Sequence, residues 1–476
     1  MARSPPSVPA GEAVSDIFVR SLTESALNAG TAKQDASGGS EFNRTSFLAR
    51  RSSTVNYMPQ NEEKDPFLDP LDALLSDIAI SVQLPPGLHA KADARYAAVR
   101  AYAEREGSPL HNLVVRFYPQ GSMAIDATIS AKGTDDEYDL DIVAELDIAA
   151  DSDPDAVLDA LYEALKGYPT SRGVERQTRC ITVYYADGMH LDITPAARLP
   201  GNVERESHIF NANPDEPASQ YLHVPMNAFG FAGWYRERTP LEPRFARSFN
   251  NRMFEAYDLK VRADAEVDDI PDQAPLIVKS VTTVALQLLK RFRNVVYAGT
   301  KGRIPPSVMM SCFAGHVAQP GTSLTDMVIR QARHTATTIR QAGRQGQKVF
   351  VVNPIFPRDR FTDRWPETLA QQEDFAAKLT EVADGLAYFK QRGASLEEMR
   401  DWLRDCFGDR VVSRSLDRFN RRTGAAVRTG SHAYSPRGSL YVPSAPAIVG
   451  ASTGLLASTP AVAASPHTFR GDRPWR

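Results

Sequence analysis

Three aspartates have the residue type and the spacing needed for metal-assisted chemistry. Asp139 and Asp141 stand two residues apart at the start of a predicted strand, so their side chains share one face and their Cα atoms lie roughly 6–7 Å apart. Two carboxylates at that separation can hold two divalent cations. Asp192 lies in a second predicted strand, between Leu191 and Ile193, and adds a third carboxylate if the two strands are neighbours. Three carboxylates with two Mg²⁺ ions suit phosphoryl transfer.

A short turn before these aspartates has the residues of a phosphate site. Gly121 and Ser122 follow a predicted strand and open a short helix, so they offer backbone N–H groups, a hydroxyl group and a helix N-terminus to a phosphate. Glycine lets the phosphates approach the backbone closely because it has no Cβ. A Gly-Ser pair alone is most often just a turn, and a single strand aspartate is most often an edge residue. The combination favours a catalytic interpretation, because a Gly-Ser turn, an Asp-x-Asp pair and a third strand aspartate follow one another in this order.

Several neighbouring residues have a simpler interpretation. The acidic run at 135–137 is predicted to be a solvated loop, and it is not an EF-hand loop because the sixth position lacks glycine. His190 shares the face of Asp192, but a metal-ligand role is disfavoured because Mg²⁺ prefers oxygen. Stacking of Tyr184 or Tyr185 on a base stays open as an alternative.

The elements that must position these residues alternate between strands and helices in the first part of the chain. Apolar and β-branched runs predict strands over 113–118, 140–146, 179–185 and 189–194. Helical spacing of apolar residues predicts helices over 71–82, 88–105 and 154–166. From about Pro275 the pattern is mostly helical, over 275–293, 307–317, 323–342, 368–392 and 395–407. The predicted fold class is therefore α/β plus all-α, with a mixed sheet.

Shifts in composition predict four segments. Residues 1–64 are rich in Ser, Ala, Gly and Asn and are predicted to be a disordered tail with a short helix around 14–29. Residues 65–250 are the predicted α/β core, and residues 251–428 are the predicted helical domain. Acidic residues nearly vanish after Gly424, so residues 429–476 are predicted to be a flexible tail.

Charge, cysteine content and hydropathy exclude several classes of protein. The 476 residues contain 55 Lys and Arg against 58 Asp and Glu, and the net charge of −3 excludes a generally basic nucleic-acid coat protein. Three separated cysteines form neither a disulfide framework nor a CxxC metal site, so a reducing compartment is expected. Without a run of about 18 apolar residues or a secretory signal, we expect a cytoplasmic protein with no membrane partner.

The motifs resemble those of the polymerase beta-like nucleotidyltransferase superfamily. They are more closely similar to the cGAS/DncV-like nucleotidyltransferases, the CD-NTases of bacterial CBASS anti-phage systems. The resemblance rests on QGS at 120–122, EYDLDIV at 137–143 and HLDITPA at 190–196. It extends to DALLSDIAIS at 72–81, LLKRFRN at 288–294, IPPSVMM at 304–310 and NPIFPRDRFTDRW at 353–365, and covers roughly residues 65–408. The segment 358–361 departs from the acidic-Asn pair that is commoner in the family.

The resemblance implies a nucleotidyltransferase core packed against an OAS-like helical C-terminal domain, so that the two form a bilobal cleft. The residues implied to bind nucleotide phosphate are Gln120, Gly121, Ser122, Lys290 and Ser307. The residues implied to be catalytic and to bind two Mg²⁺ ions, for which Mn²⁺ could substitute, are Asp139, Asp141 and Asp192. From the residues alone, Lys290 could equally be a solvated helix end.

The activity that the resemblance implies is synthesis of a cyclic di- or trinucleotide second messenger from NTPs, ATP or GTP, with release of pyrophosphate. The implied role is anti-phage defence in the bacterial cytoplasm. The implied partners are NTP substrates, a downstream effector that binds the product and CBASS ancillary regulators, without constitutive nucleic-acid binding. Two alternatives stay open: a transferase that makes linear oligonucleotides or adds nucleotides to RNA or protein, and a non-catalytic nucleotide-binding scaffold.

Overall fold

The computed structural model describes residues 65–130, 138–169, 171–201, 204–264, 278–392, 396–429, 433–434 and 440–441. The predicted N-terminal tail with its helix around 14–29 and the acidic run at 135–137 lie outside these residues. Most of the predicted C-terminal tail also lies outside them, and its described part is a short antiparallel strand pair, Ala433–Tyr434 with Leu440–Tyr441.

A seven-stranded mixed sheet carries the aspartates. Its strands are β1 (Val114–Pro119), β2 (Tyr138–Leu146), β3 (Gly173–Arg176), β4 (Ile181–Tyr184), β5 (Met189–Arg198), β6 (Ser207–Asn211) and β7 (Leu222–Met226). The order is β1-β2-β5-β4-β3, and β6 pairs with both β5 and β7. Strands β2 and β5 run parallel, and the other pairs of this sheet run antiparallel. The predicted mixed sheet is confirmed, although the sequence patterns do not predict β3, β6 and β7.

Helices account for most of the other described elements. They are α1 (Pro70–Val82), α2 (Pro86–Ala103), α3 (Pro154–Leu165), α4 (Ala228–Arg238), α5 (Pro243–Asp264), α6 (Val281–Val296), α7 (Ser307–Val317), α8 (Leu324–Arg344), α9 (Leu369–Arg392), α10 (Leu396–Phe407) and α11 (Asp409–Thr429). A strand pair, β8 (Val352–Asn353) and β9 (Phe356–Arg360), follows α8. In the described part of the chain, no helix has both the length and the apolar character needed to span a membrane.

The helices predicted within the described residues are confirmed, and the largest change of boundary is at the start of α6. The helix predicted over 275–293 begins at Val281, because the Ser280 side chain accepts a hydrogen bond from the Thr283 N–H and caps α6 there. The Asp69 side chain caps α1 in the same way, as the sequence predicts, by accepting from the Leu71 N–H. Helices α4, α5 and α11 are not predicted by the sequence patterns.

The two central strands present an apolar face to helices and an acidic face to the opposite side. Leu140 and Ile142 of β2, together with Leu191 and Ile193 of β5, are completely buried. They belong to one hydrophobic cluster with residues of α2 and α3, which cover that face of the sheet. Because side chains alternate along a strand, the intervening aspartates lie on the other face. This confirms the predicted division of the two strands into a core face and a chemical face.

A second hydrophobic cluster joins the later helices, with α6 at its centre. Every residue of α6 from Val281 to Asn294 is buried. The cluster combines α1 and α4–α11 with Ala124, Ile125, Ala127 and Ile129, from the segment that follows the Gly-Ser turn. The turn is therefore anchored in the helical part of the molecule. Helix α1 packs there as well, although the division at residue 250 assigns it to the α/β core, and that division stays a prediction.

A buried ionic group ties the last helix to the first. Asp77 of α1 is fully buried and accepts hydrogen bonds from Arg252 of α5 at 3.3 Å and from Arg422 of α11 at 3.0 and 3.2 Å. Arg422 also contacts Glu255 at 3.2 Å. The partners of Asp77 are 175 and 345 residues away in the chain, so no local pattern predicts this group.

Candidate active site

The predicted catalytic carboxylates lie side by side on β2 and β5. In the parallel ladder Asp141 is level with Asp192, and Asp139 is level with His190. Neighbouring strands are roughly 4.8 Å apart, whereas residues i and i+2 of one strand are roughly 6–7 Å apart. Asp141 is therefore closer to Asp192 across the sheet than to Asp139 along its own strand. The expectation that the two strands are neighbours is confirmed.

Side-chain contacts orient two of the three aspartates. Thr182 of β4 pairs with Asp192 in register, and its Oγ1 donates to Asp192 Oδ1 at 2.6 Å. Asp139 Oδ1 lies 3.2 Å from His190 Nδ1, and the Asp139 side chain is 58% exposed. Asp192 is therefore held within the sheet, whereas Asp139 is turned toward His190 at the solvent edge.

The turn before these strands places backbone directly against Asp141. The Gln120 N–H donates to the Asp141 carbonyl oxygen at 2.9 Å, and Gln120 Nε2 donates to Thr194 Oγ1 at 3.0 Å. Gly121 has a φ of +56°, and a Cβ added to it would stand 2.4 Å from Asp141 Oδ2. Glycine is thus required by its backbone conformation and by the close carboxylate. From the sequence alone, only the approach of phosphate indicates a need for glycine at this position.

Three polar side chains of α6 hold the segment after this turn. Gln287 Nε2, Lys290 Nζ and Asn294 Nδ2 each donate to a backbone carbonyl oxygen. The acceptors are the carbonyl oxygens of Thr128, Ala127 and Ser130, at 2.9, 2.7 and 3.4 Å. The Lys290 ammonium group, predicted to contact nucleotide phosphate, is therefore engaged with the protein backbone beside the turn.

Negative charge dominates the floor of the site. Burial, together with the neighbouring carboxylates of Asp192 and Asp139, raises the pKa of Asp141 to about 7. Burial also raises the pKa of Asp192, against the hydrogen bond from Thr182. Burial lowers the pKa of Lys290 to about 7, although Asp141 favours its charged form. The positive charge of Lys290 therefore does not balance the negative charge of the three carboxylates.

The start of α7 forms a second wall. Ser307 is the first residue of α7, and Arg293 Nη1 donates to its Oγ at 2.6 Å and to the Pro305 carbonyl oxygen at 2.9 Å. Burial lowers the pKa of Arg293 to about 10, while the charge of Asp139 opposes this shift. Arg293 thus places a buried positive charge near Asp139 and fixes the side chain of Ser307.

A cleft of about 790 Å³ brings the predicted residues together. All eight of them line it: Gln120, Gly121, Ser122, Asp139, Asp141, Asp192, Lys290 and Ser307. The cleft lies between the acidic face of the sheet and the helices α6 and α7. The individual roles of these residues in binding and catalysis stay predictions.

The carboxylates are the groups in this cleft that could hold a divalent cation. Mg²⁺ prefers oxygen ligands, and an added cation would relieve the repulsion among the carboxylates that, together with burial, raises the pKa of Asp141. Within the described ranges, no three His, Cys, Asp or Glu side chains already form a metal-binding group. The residue types therefore fit the ion, and Asp139 would exchange its contact with His190 to take part.

Sequence reasoning missed four residues of this site: Thr182, Gln287, Arg293 and Asn294. For two of them a signal existed, because the polar residues 287, 290 and 294 recur at i, i+3 and i+7 along α6. Such a stripe inside a buried helix indicates polar contacts with another segment. Thr182 carried no signal, since threonine is an ordinary strand residue.

Comparisons with known proteins place this geometry in a family. Residues 69–210 match the model of the Second Messenger Oligonucleotide or Dinucleotide Synthetase domain. The chain is 55% identical over 409 residues to the cyclic dinucleotide synthase CdnG of Bradyrhizobium diazoefficiens, an alignment that covers 86% of this chain and 96% of that protein. It is 19% identical over 355 residues to a c-di-GMP synthase of Roseivirga ehrenbergii, covering 73% of this chain and 86% of that protein.

A solved structure agrees with the fold as well. The structure of the Bradyrhizobium diazoefficiens CD-NTase CdnG in complex with GTP matches with a TM-score of 0.67 and 54% sequence identity, over 75% of this chain and 100% of that chain. The chain therefore belongs to the CD-NTase family and is a nucleotidyltransferase that synthesises cyclic oligonucleotides.

Proposed function

We propose that this cleft joins two nucleoside triphosphates into a cyclic dinucleotide, with GTP as a substrate and divalent cations as cofactors. The observation that carries the proposal is the level pairing of Asp141 with Asp192 next to the Gly121 turn. The relative that is 55% identical is a cyclic dinucleotide synthase, and its solved structure contains GTP. Both facts support the choice of product and base.

Each group in the cleft has a distinct task in this proposal. Gly121 and Ser122 bind the donor triphosphate through their N–H groups and the serine hydroxyl. Mg²⁺ or Mn²⁺ held by the three aspartates would lower the pKa of the attacking hydroxyl group and neutralise charge on the phosphates. Lys290 holds the carbonyl of Ala127 and thereby positions the turn, and its charge adds to the attraction for the triphosphate.

Two transfers of the same kind close the ring. In each transfer the ribose hydroxyl oxygen of one nucleotide bonds to the α-phosphorus of the other. The bond from that phosphorus to the bridging oxygen of the β-phosphate breaks, and pyrophosphate leaves. The hydroxyl proton passes to Asp192 or to water. The same cleft serves both steps because the linear intermediate keeps a 5′-triphosphate at one end and a free ribose hydroxyl group for attack at the other.

The biological role proposed with this activity is second-messenger synthesis in CBASS anti-phage defence. Family membership supports it. The partners would be a downstream effector that binds the cyclic product and ancillary CBASS regulators. The match to a c-di-GMP synthase agrees with a guanine-containing messenger.

The test is to incubate the purified chain with Mg²⁺ and each α-labelled NTP, treat the products with phosphatase and identify them by mass spectrometry. A phosphatase-resistant cyclic dinucleotide is expected from the wild-type protein and from the control Asp151→Ala, in which an exposed aspartate is changed. Asp141→Ala should make no product while its thermal unfolding stays cooperative. Linear products would favour an oligonucleotide polymerase, and NTP binding without pyrophosphate release would favour a scaffold.

A further inference from the structure

A threonine hydroxyl group stands beside the candidate catalytic carboxylates, on the next strand of the sheet. Thr182 of β4 is level with Asp192 of β5, which is in turn level with Asp141 of β2. The three side chains therefore form one row across the same face of the sheet. Thr182 is only 5% exposed, and among the described residues it is not one of those that line the cleft. Any effect of Thr182 on the reaction must therefore pass through Asp192.

The contact between Thr182 and Asp192 has the geometry of a charge-assisted hydrogen bond. Thr182 Oγ1 donates to Asp192 Oδ1 at 2.6 Å, within the range of roughly 2.5–2.7 Å for a hydroxyl group that donates to a carboxylate. A hydroxyl group has one proton to donate, so the proton of Thr182 is committed to this oxygen. The bond fixes the plane of the carboxylate and leaves Oδ2 for another partner.

The side chain that donates this bond is itself held in place. Threonine is branched at Cβ, so its χ1 angle is restricted to few rotamers. Its neighbours along β4, Ile181 and Val183, are completely buried in the hydrophobic cluster on the opposite face of the sheet. These two residues anchor the strand, and the Thr182 hydroxyl group therefore has a defined position from which to orient Asp192.

The contact that orients Asp139 is of a different kind. Asp139 Oδ1 lies 3.2 Å from His190 Nδ1, and the Asp139 side chain is more than half exposed. Asp139 can therefore turn from His190 toward an ion, as its predicted role requires. Asp192 is half-buried and has the shorter bond, so it is the carboxylate with the more fixed orientation.

We propose that Thr182 is a positioning residue, whose hydroxyl group fixes the orientation in which Asp192 meets the divalent cation and the attacking ribose hydroxyl group. This inference rests on the proposed function, in which Asp192 is a metal ligand. Hydrogen-bond partners behind a metal ligand typically change metal affinity or activity by about 10- to 100-fold when they are removed. Loss of the Thr182 hydroxyl group should therefore weaken the cation site and leave the contacts between cleft and nucleotide unchanged.

Two substitutions separate the hydroxyl group from the shape of the side chain. Thr182→Val keeps the branched shape and removes the hydroxyl group, whereas Thr182→Ser keeps the hydroxyl group. Binding of Mn²⁺ alone to the purified chain is measured from the EPR signal of free Mn²⁺, and binding that is lost in Asp141→Ala is assigned to this site. Thr182→Val should bind Mn²⁺ there about tenfold more weakly than the wild-type protein. Its kcat for product formation should fall by about 10- to 100-fold with an unchanged KM for GTP, and Thr182→Ser should restore most of both losses.

Thr335→Val is the matched control. Thr335 is a buried threonine of α8, and its Oγ1 donates at 2.8 Å to the carbonyl oxygen of Gln331 in the same helix. This variant loses one buried hydrogen bond without touching a carboxylate, so its Mn²⁺ affinity and kcat should equal those of the wild-type protein. Wild-type Mn²⁺ affinity in Thr182→Val, or an equal loss in Thr182→Ser or Thr335→Val, would overturn the role of Thr182 alone. A wild-type protein that neither binds Mn²⁺ at this site nor makes product would refute the proposed function as well.

Discussion

Replacement of Gly121 by alanine tests whether the turn and Asp141 form one catalytic unit. A Cβ at this position would stand 2.4 Å from Asp141 Oδ2, whereas ordinary contact begins at 3.4 Å. The carboxylate or the turn must therefore move by about 1 Å. In addition, the alanine must adopt a φ of +56°, which costs about 1–2 kcal/mol for a residue with a Cβ.

The two effects have different consequences. The backbone strain lowers stability by that 1–2 kcal/mol and leaves the protein folded. A displacement of about 1 Å between reacting groups costs roughly 100-fold in rate, which corresponds to about 2.7 kcal/mol in the activation barrier. Gly121→Ala should therefore lose about 100-fold in kcat for product formation.

Gly107→Ala provides the matched control. Gly107 has a φ of +77°, and nothing lies within 4 Å of a Cβ placed there, so the change adds backbone strain without a clash. Both variants should show a similar decrease in the free energy of unfolding, measured by urea denaturation. Only Gly121→Ala should lose activity in the labelled-NTP assay. If its kcat equalled that of Gly107→Ala, the argument that Asp141 requires glycine at position 121 would be wrong.

Two further predictions concern stability. Asp77→Ala leaves the buried guanidinium groups of Arg252 and Arg422 without their shared carboxylate, so urea denaturation should show a loss of about 3–5 kcal/mol; an unchanged midpoint would contradict the role of the ionic group. Burial raises the pKa of Asp72 from 3.8 to about 6, so the folded protein binds the Asp72 proton more tightly than the unfolded chain does. As the pH rises from 4 to 6, ionisation of Asp72 therefore lowers the stability of the folded protein. Asp72→Asn can still accept from Thr325 and should gain up to about 3 kcal/mol over the wild type at pH 8 but almost nothing at pH 3.5; a pH-independent difference would refute this.

Strand periodicity made the candidate catalytic carboxylates accessible to sequence analysis. Asp139 and Asp141 alternate with Leu140 and Ile142, and Asp192 lies between Leu191 and Ile193. The alternation in each strand therefore predicts which side chains face the core. The N-cap of α1 and the apolar spacing of the later helices also depend on residues close together in the sequence, so the sequence predicts them. Local patterns failed for β6 and β7, which are short, and for α11, where charged residues outweigh the apolar stripe.

The Gly121 turn shows the limit of such reasoning. The sequence indicated glycine for the approach of phosphate, but the structure shows that Asp141 already fills the space beside it. The predicted partner of Lys290 was a phosphate, and the observed acceptor is a carbonyl oxygen of the turn segment. In both cases the observed contact is made with another segment of the chain, and the role in binding phosphate stays a prediction.

The sequence by itself determined the candidate groups of this site: three strand aspartates, a Gly-Ser turn and the helices that follow them, all set by local alternation, capping and spacing. The tertiary structure alone decided which of these groups meet. The level pairing of Asp141 with Asp192, the contacts of α6 with the turn segment and the contact of Arg179 with Asp363 each join segments separated by about 50 to 185 residues. Such contacts arise from packing of the described helices and strands around shared hydrophobic clusters, and no pattern within a single helix or strand encodes them.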